Sequence, residues 1–292
     1  MSQPVLRSPR LQSLLQWLKC WLPALPLLIL AYGLLVVPLI ALMMQSFLDS
    51  DGSFTLDHWR VTFASRMNRQ AIVTSLTLSF TSATIALIVG GPVAWLISQM
   101  AIAPRSIWLS GFNMATNFSG IGLAFGFVAI LGTYGMLTLA LRQMGIAFTP
   151  PTPGSFWGLA IAYSYLNIPL FVLLTIPGMS SLRHEWWEAA QVSGATRWQF
   201  WQQIGVPLLA PFLAAGWMLT FTWSLGLYGL PFALGVGTTP SLSLLSVQLG
   251  RGLEASMTGR GEAAVLAIAL LLLTGSSLLA YQFLLRRVRR WL

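Results

Sequence analysis

Apolar residues gather into six long runs, at Trp21–Phe47, Ala71–Ser98, Ile107–Leu131, Phe156–Met179, Pro207–Leu234 and Ala263–Leu285. Each reaches the roughly 20 residues that a helix needs to cross a bilayer, and none contains Asp, Glu, Lys or Arg. The pattern predicts an all-α membrane protein with six transmembrane helices.

The joints between the runs are more informative. Residues Leu11–Leu22 place leucine and tryptophan every three or four positions around Gln12, Gln16 and Lys19, the signature of a helix lying on a membrane surface or of an extension of the first span. Gly135–Ile146 is too short to cross and ends at the Pro150–Pro151–Thr152–Pro153 break, which suggests a short surface or re-entrant helix. Within the runs, Gly122 and Gly126 form a small-xxx-small pair one stripe on from Ala115 and Ser119, suited to close helix packing. Pro92, Pro169 and Pro231 permit kinks, and Gly226, Gly229, Pro231, Gly235 and Gly237 make the end of the fifth run irregular.

Composition agrees with lipid as the main solvent. Only 8% of the 292 residues are charged and 56% are hydrophobic, whereas a soluble domain spends about a quarter of its residues on charge. The organisation expected is a segment 1–20, a membrane domain 21–285 and a basic tail 286–292, with no appended soluble domain. The net charge of +9 sits at the two ends and in short loops rather than in a stripe, which argues against nucleic acid. With the N-terminus in the cytoplasm, ten of the sixteen basic residues and two of the seven acids fall inside. The positive-inside rule then puts both termini in the cytoplasm. Cys20 stands alone, so no disulfide or cysteine metal site forms within the chain. The start does not read as a cleavable signal, because the apolar stretch is long and lacks an A-x-A-like site.

The longest loop on the expected inner side, 180–207, favours helix on both sides of Gly194. Gly194 suits the left-handed end of one helix, and Thr196 followed by Gln199 suits a capping box that opens the next. A helix–turn–helix elbow results. Its residues Glu188-Ala189-Ala190, Gly194 six positions after Glu188, then Ile204 and Val206-Pro207 resemble the EAA loop of permeases in binding-protein-dependent ABC importers. The one departure is Val206 where the family has leucine. The run Ser75–Ser98 around Gly90-Gly91-Pro92-Val93-Ala94, the Tyr134-Gly135 pair and the Arg-rich tail also resemble the spermidine/putrescine subgroup, whose relatives carry ferric iron, thiamine and phosphonates.

The resemblance implies the type I importer architecture and a division of labour. Apolar residues Trp186, Trp187, Ala189, Ala190 and Val192 would dock in a groove of a cytoplasmic ATPase dimer, which would bind ATP and Mg2+. A second permease, expected to be a different chain with an identical copy as the alternative, and an extracytoplasmic solute-binding protein complete the set of partners. This chain has no Walker A site, since its only lysine is Lys19, and no catalytic residues or cofactor of its own are expected. His184-Glu185-Trp186-Trp187-Glu188 falls one histidine short of a zinc motif, and His58 is the only other histidine, so no metal site is expected. An intramembrane protease fails on inventory, because no run carries histidine or aspartate. An ion-coupled secondary transporter is the alternative from another class, although such carriers typically hold an ionisable residue near mid-membrane. Pairing of two permeases would put the path along the third to fifth spans, where Asn113, Asn117, Tyr163, Tyr165, Asn167, Trp223 and Tyr228 are the polar or aromatic candidates. For each, hydrogen bonding between helices is the competing role. The subgroup implies a polyamine, which aromatic faces would attract. The runs offer no carboxylate to neutralise one, leaving an anionic or neutral solute open.

Overall fold

The computed structural model describes residues 24–49, 52–118, 120–146, 150–182, 184–236, 242–255 and 259–288. The surface helix expected over residues 11–22 and the last residues of the tail lie outside these. Among the described residues the chain is helical apart from one isolated antiparallel bridge between Leu48 and Phe54. The helices are α1 (Leu25–Phe47), α2 (Asp57–Ala64), α3 (Arg66–Ser98), α4 (Ile102–Asn117), α5 (Ile121–Leu131), α6 (Met136–Gln143), α7 (Phe156–Met179), α8 (His184–Val192), α9 (Arg197–Phe200), α10 (Val206–Leu225), α11 (Gly229–Ala233), α12 (Leu245–Ala255) and α13 (Gly259–Val288). Six helical stretches among them are long and apolar enough to cross a membrane.

The core is a triad of α3, α7 and α10. On α3 the buried side is built mostly of small residues and the lipid-ready side of large ones, and bulky residues of α7 such as Tyr163, Leu166, Phe171 and Val172 fill the centre. On α3, Ala71, Ser75, Ser79, Ser82, Ala83, Ala86, Gly90 and Ala94 face inward, while Val73, Phe80, Ile88 and Leu96 are exposed. In lipid no hydrophobic force separates these faces, so close van der Waals approach decides the packing. Gly90 shows how close: a Cβ there would lie 2.9 Å from Phe171 Cδ1. On α10, a Cβ at Gly216 would lie 2.5 Å from Thr175 Cγ2, and one at Gly178 of α7 would collide with the root of the Phe212 side chain.

Hydrogen bonds between helices fix the register of this triad. Asn167 of α7, with no exposed surface, donates through Nδ2 to Ser224 Oγ of α10 at 2.7 Å and to Ser82 Oγ of α3 at 3.1 Å. Trp217 Nε1 donates to Thr84 Oγ1 at 3.2 Å. Around the triad, Thr222 Oγ1 donates to Ser277 Oγ of α13 at 2.7 Å, and the Leu245 amide of α12 donates to Ser75 Oγ at 2.8 Å. Bonds of this kind in lipid contribute about 0.6 kcal/mol each, so they specify alignment more than they stabilise. The outermost helix, α1, packs mainly on α13 and α2 and leaves most of its apolar length exposed.

Two expected spans need correction. The run Ile107–Leu131 is not one helix: α4 ends at Asn117 and α5 starts at Ile121, with Gly120 at φ +77° and ψ −143°. That conformation is open to glycine and not to a helix interior. The apolar stretch long enough to cross here runs from Ile121 through the Gly132–Gly135 turn to Gln143. The fifth span stops at Leu225 rather than Leu234, and after a break resumes only as the five-residue α11. The short helix expected near residue 140 is present as α6. Gly122 and Gly126 have open space where a Cβ would go, so among the described residues no neighbour packs closely on these two glycines.

Gly178→Ala is expected to destabilise the purified protein by about 1–3 kcal/mol, the usual cost of overpacking. Gly122→Ala should leave thermal melting in detergent unchanged or slightly raised. Equal melting of the two variants would contradict the packing described.

Candidate functional site

The elbow forms because two termination signals meet. Helix α8 closes with two bonds that reach back across its last turn: the Gly194 amide donates to Gln191 O at 2.9 Å and the Ala195 amide to Ala190 O at 2.9 Å. This is a Schellman turn, and it requires the left-handed φ of +79° found at Gly194. One residue later Thr196 opens α9 with a full capping box: its amide donates to Gln199 Oε1 at 2.8 Å and its Oγ1 accepts from the Gln199 amide at 3.3 Å. Both features agree with the reading of the sequence.

One feature had no counterpart in that reading. Between α9 and α10 the chain makes a π-helical turn over Trp201–Gly205. The Trp201 ring lies over Gly205, where a Cβ would sit 2.5 Å from Cε3. The glycine four positions after the tryptophan was the available signal. Such turns rarely form except where packing imposes them.

Aromatic rings join the elbow to the triad. Trp187 of α8 meets Phe200 edge-on at 5.3 Å, Phe200 meets Trp201 at 6.1 Å, and Trp201 meets Trp95 at the end of α3 at 5.3 Å. On the other flank Arg105 Nη2 of α4 donates to Ser180 Oγ at the end of α7, 3.1 Å away. The two faces of α8 therefore differ. Trp187 and Ala190, two of the residues expected to dock, are partly buried and pack against the cluster of Ile97, Met179, Leu182 and Phe200. Trp186, Glu188, Ala189 and Val192 face outward, Val192 with 91% of its surface exposed. Ile204 is partly exposed within the π turn, and Pro207 stands in the first turn of α10, where the missing N–H is harmless.

The polar candidates along the third to fifth spans separate into two groups. Tyr163 and Asn167 are buried in the triad. Asn113 and Asn117 are exposed on α4, with Asn117 Nδ2 donating to Asn113 O at 2.8 Å. Trp223 is exposed on α10, and Tyr228 lies in the break after it, stacked on Phe232 at 5.2 Å. The two helix breaks adjoin, since a Cβ on Gly229 would lie 3.8 Å from the Gly120 Cα. Asn117 and Tyr228 thus flank a shared region of unwound backbone, which lipid tolerates only where protein or water satisfies it.

Six helical stretches able to cross a membrane, with a helical elbow between the fourth and fifth, define a polytopic membrane protein of the permease kind. Residues 106–290 match the family described as binding-protein-dependent transport system inner membrane component. The chain is 30% identical over 204 residues to the sulfate transport system permease protein CysT of Escherichia coli (strain K12), covering 67% of this chain and 68% of the relative. It is 25% identical over 207 residues to the spermidine/putrescine permease PotB of Haemophilus influenzae, covering 68% and 72%. The fold matches a chain in the crystal structure of a bacterial alginate ABC transporter in complex with an alginate pentasaccharide-bound periplasmic protein, with TM-score 0.71, 21% identity and 94% and 97% of the two chains covered. The protein belongs to this family: it is a multi-pass inner-membrane permease of an ABC importer for a small solute, not an enzyme. Permeases of this kind work with a periplasmic binding protein and a separate ATPase subunit. Family membership also removes the ion-coupled carrier.

Thr196→Ala is expected to cost about 1 kcal/mol of local stability. Hydrogen exchange should quicken over residues 196–205 and stay unchanged in α3 and α7. Uniform quickening would show that the box stabilises the whole bundle instead.

Proposed function

We propose that the outward face of α8, with Trp186, Glu188, Ala189 and Val192, docks in a groove of the ATPase on the cytoplasmic side. This is helix-in-groove recognition. Ala190 and Gly194 set the shape of the elbow, and Ile204 and Pro207 lie at its junction with α10. The observation that carries the reading is the double fastening of the elbow, by the Schellman turn and capping box within it and by the ring chain from Trp187 to Trp95 beneath it. A displacement imposed on α8 would move α7 and α10 as one body. ATP and Mg2+ belong to the ATPase, and closure of its dimer supplies the work.

Both termini are cytoplasmic in this reading, on the same side as the elbow. The exposed α1 and the unfilled stripe at Gly122 and Gly126 suit a second permease, a different chain in the subgroup this one resembles. The path runs past Asn113, Asn117, Trp223 and Tyr228, with Tyr163 and Asn167 holding the helices behind it. Among the solutes of the relatives, a small oxyanion of the sulfate class fits this surface better than a polyamine. Asn113, Trp223 and Tyr228 offer amide, indole and phenol donors, and no apolar run carries the carboxylate that a polyamine would need.

Gly194→Pro removes both the left-handed turn and its N–H. It is expected to abolish uptake and ATPase co-purification while the protein stays in the membrane, and normal uptake would refute the coupling role. Reporter fusions after Arg290 and at Ser106 should read cytoplasm, and an outside signal at either would overturn the orientation. In parallel assays of labelled sulfate and labelled spermidine, chain-dependent uptake is expected for the oxyanion. Uptake of spermidine alone would reverse the substrate assignment.

A further inference from the structure

Behind the elbow, on the side away from the outward face of α8, lies a cleft of about 320 Å3. Its walls come from the end of α3 (Trp95 and Gln99), the turn after α7 (Leu182), and the elbow (Trp187, Arg197, Phe200 and Trp201). We propose that this cleft binds one acidic phospholipid, with its headgroup on Arg197 and its chains against the tryptophans.

Three observations point to that occupant. The first is depth. The cleft lies where α3 and α7 end and α10 begins, so its tryptophans stand at the level of the lipid headgroups, where indole rings collect. The second is charge. Among the described residues, Arg197 is the one ionisable side chain in the lining and is exposed, its guanidinium 5.8 Å over the Trp187 ring. A cation set in an aromatic wall without a carboxylate selects an anion that brings apolar surface with it. The third is the wall itself. Trp95, Trp187, Phe200, Trp201 and Leu182 line the cleft, an apolar surface that acyl chains cover better than water does. The volume is at the low end for ligand pockets, about 300–1,000 Å3, enough for a headgroup and the first part of its chains. In the orientation proposed above, the cleft opens to the cytoplasmic leaflet, where acidic lipids and basic side chains attract.

The test uses the full chain with whatever subunits co-purify, stripped of lipid in detergent and offered equal phosphatidylglycerol and phosphatidylcholine. Native mass spectrometry reads what is retained. The expected result is preferential retention of phosphatidylglycerol, reduced about fivefold by Arg197→Gln, the weight of one basic side chain on an acidic membrane. Arg197→Lys should keep most of the preference, and Arg142→Gln, on α6, should change nothing. Equal retention of the two lipids, or a preference that survives Arg197→Gln, would overturn the proposal. So would retention of glycerol 3-phosphate in place of the lipid, which would make the cleft a site for soluble anions. Loss of the ATPase from Arg197→Gln with phosphatidylglycerol retention unchanged would assign the cleft to ATPase docking and also end the proposal. If the outward face of α8 proves not to dock an ATPase, lipid retention is unaffected, so the two failures are told apart.

Discussion

Close approach of three helices is the constraint on which the rest depends. Where Gly90, Gly178 and Gly216 meet Phe171, Phe212 and Thr175, no Cβ fits without displacing a neighbouring side chain, so the glycines of α3, α7 and α10 make the room that those side chains fill between the helices. Nearness brings Asn167 within reach of Ser82 and Ser224 together. A longer separation would leave the amide donors of Asn167 unpaired in an apolar interior, where desolvation is costly. Small residues and polar side chains thus depend on each other: the first permit the contact and the second align it.

The elbow inherits its position from that triad. It leaves the end of α7, returns at the start of α10, and rests through Trp201 on Trp95 at the end of α3. A loop attached at two points to one rigid group, and resting on a third, transmits displacement rather than absorbing it. In the coupling proposed, the π turn at Trp201–Gly205 is where such a load would reach α10. Its ring-over-glycine packing leaves little room for the turn to relax into a regular helix without moving Trp201 off Trp95. Family membership gives this geometry its meaning, since importer permeases receive their energy from a separate ATPase subunit.

Much of this was legible in the sequence, because the signals were local. Hydropathy located the spans, and Gly194, Thr196 and Gln199 marked the elbow to the residue. What escaped were features set by partners distant along the chain. The break at Gly120 lies inside an uninterrupted apolar run, and hydropathy does not sense a backbone angle. Trp187 and Ala190 carry the same apolar character as Trp186 and Ala189, so composition does not tell which of them turns inward. That choice is made by Phe200 and Ile97. Asn167 was a candidate for the path, and its two serine partners come from helices far apart in sequence, so the sequence did not reveal its place in the packing.

The central claim is that one face of α8 meets the ATPase while the other holds the elbow to the bundle. A photo-cross-linking amino acid placed at Val192 or at Trp187, in cells expressing the whole transporter, tests it most directly. The account predicts an ATPase adduct from position 192 and adducts only within the permease from position 187. ATPase adducts from both positions, or from position 187 alone, would contradict it.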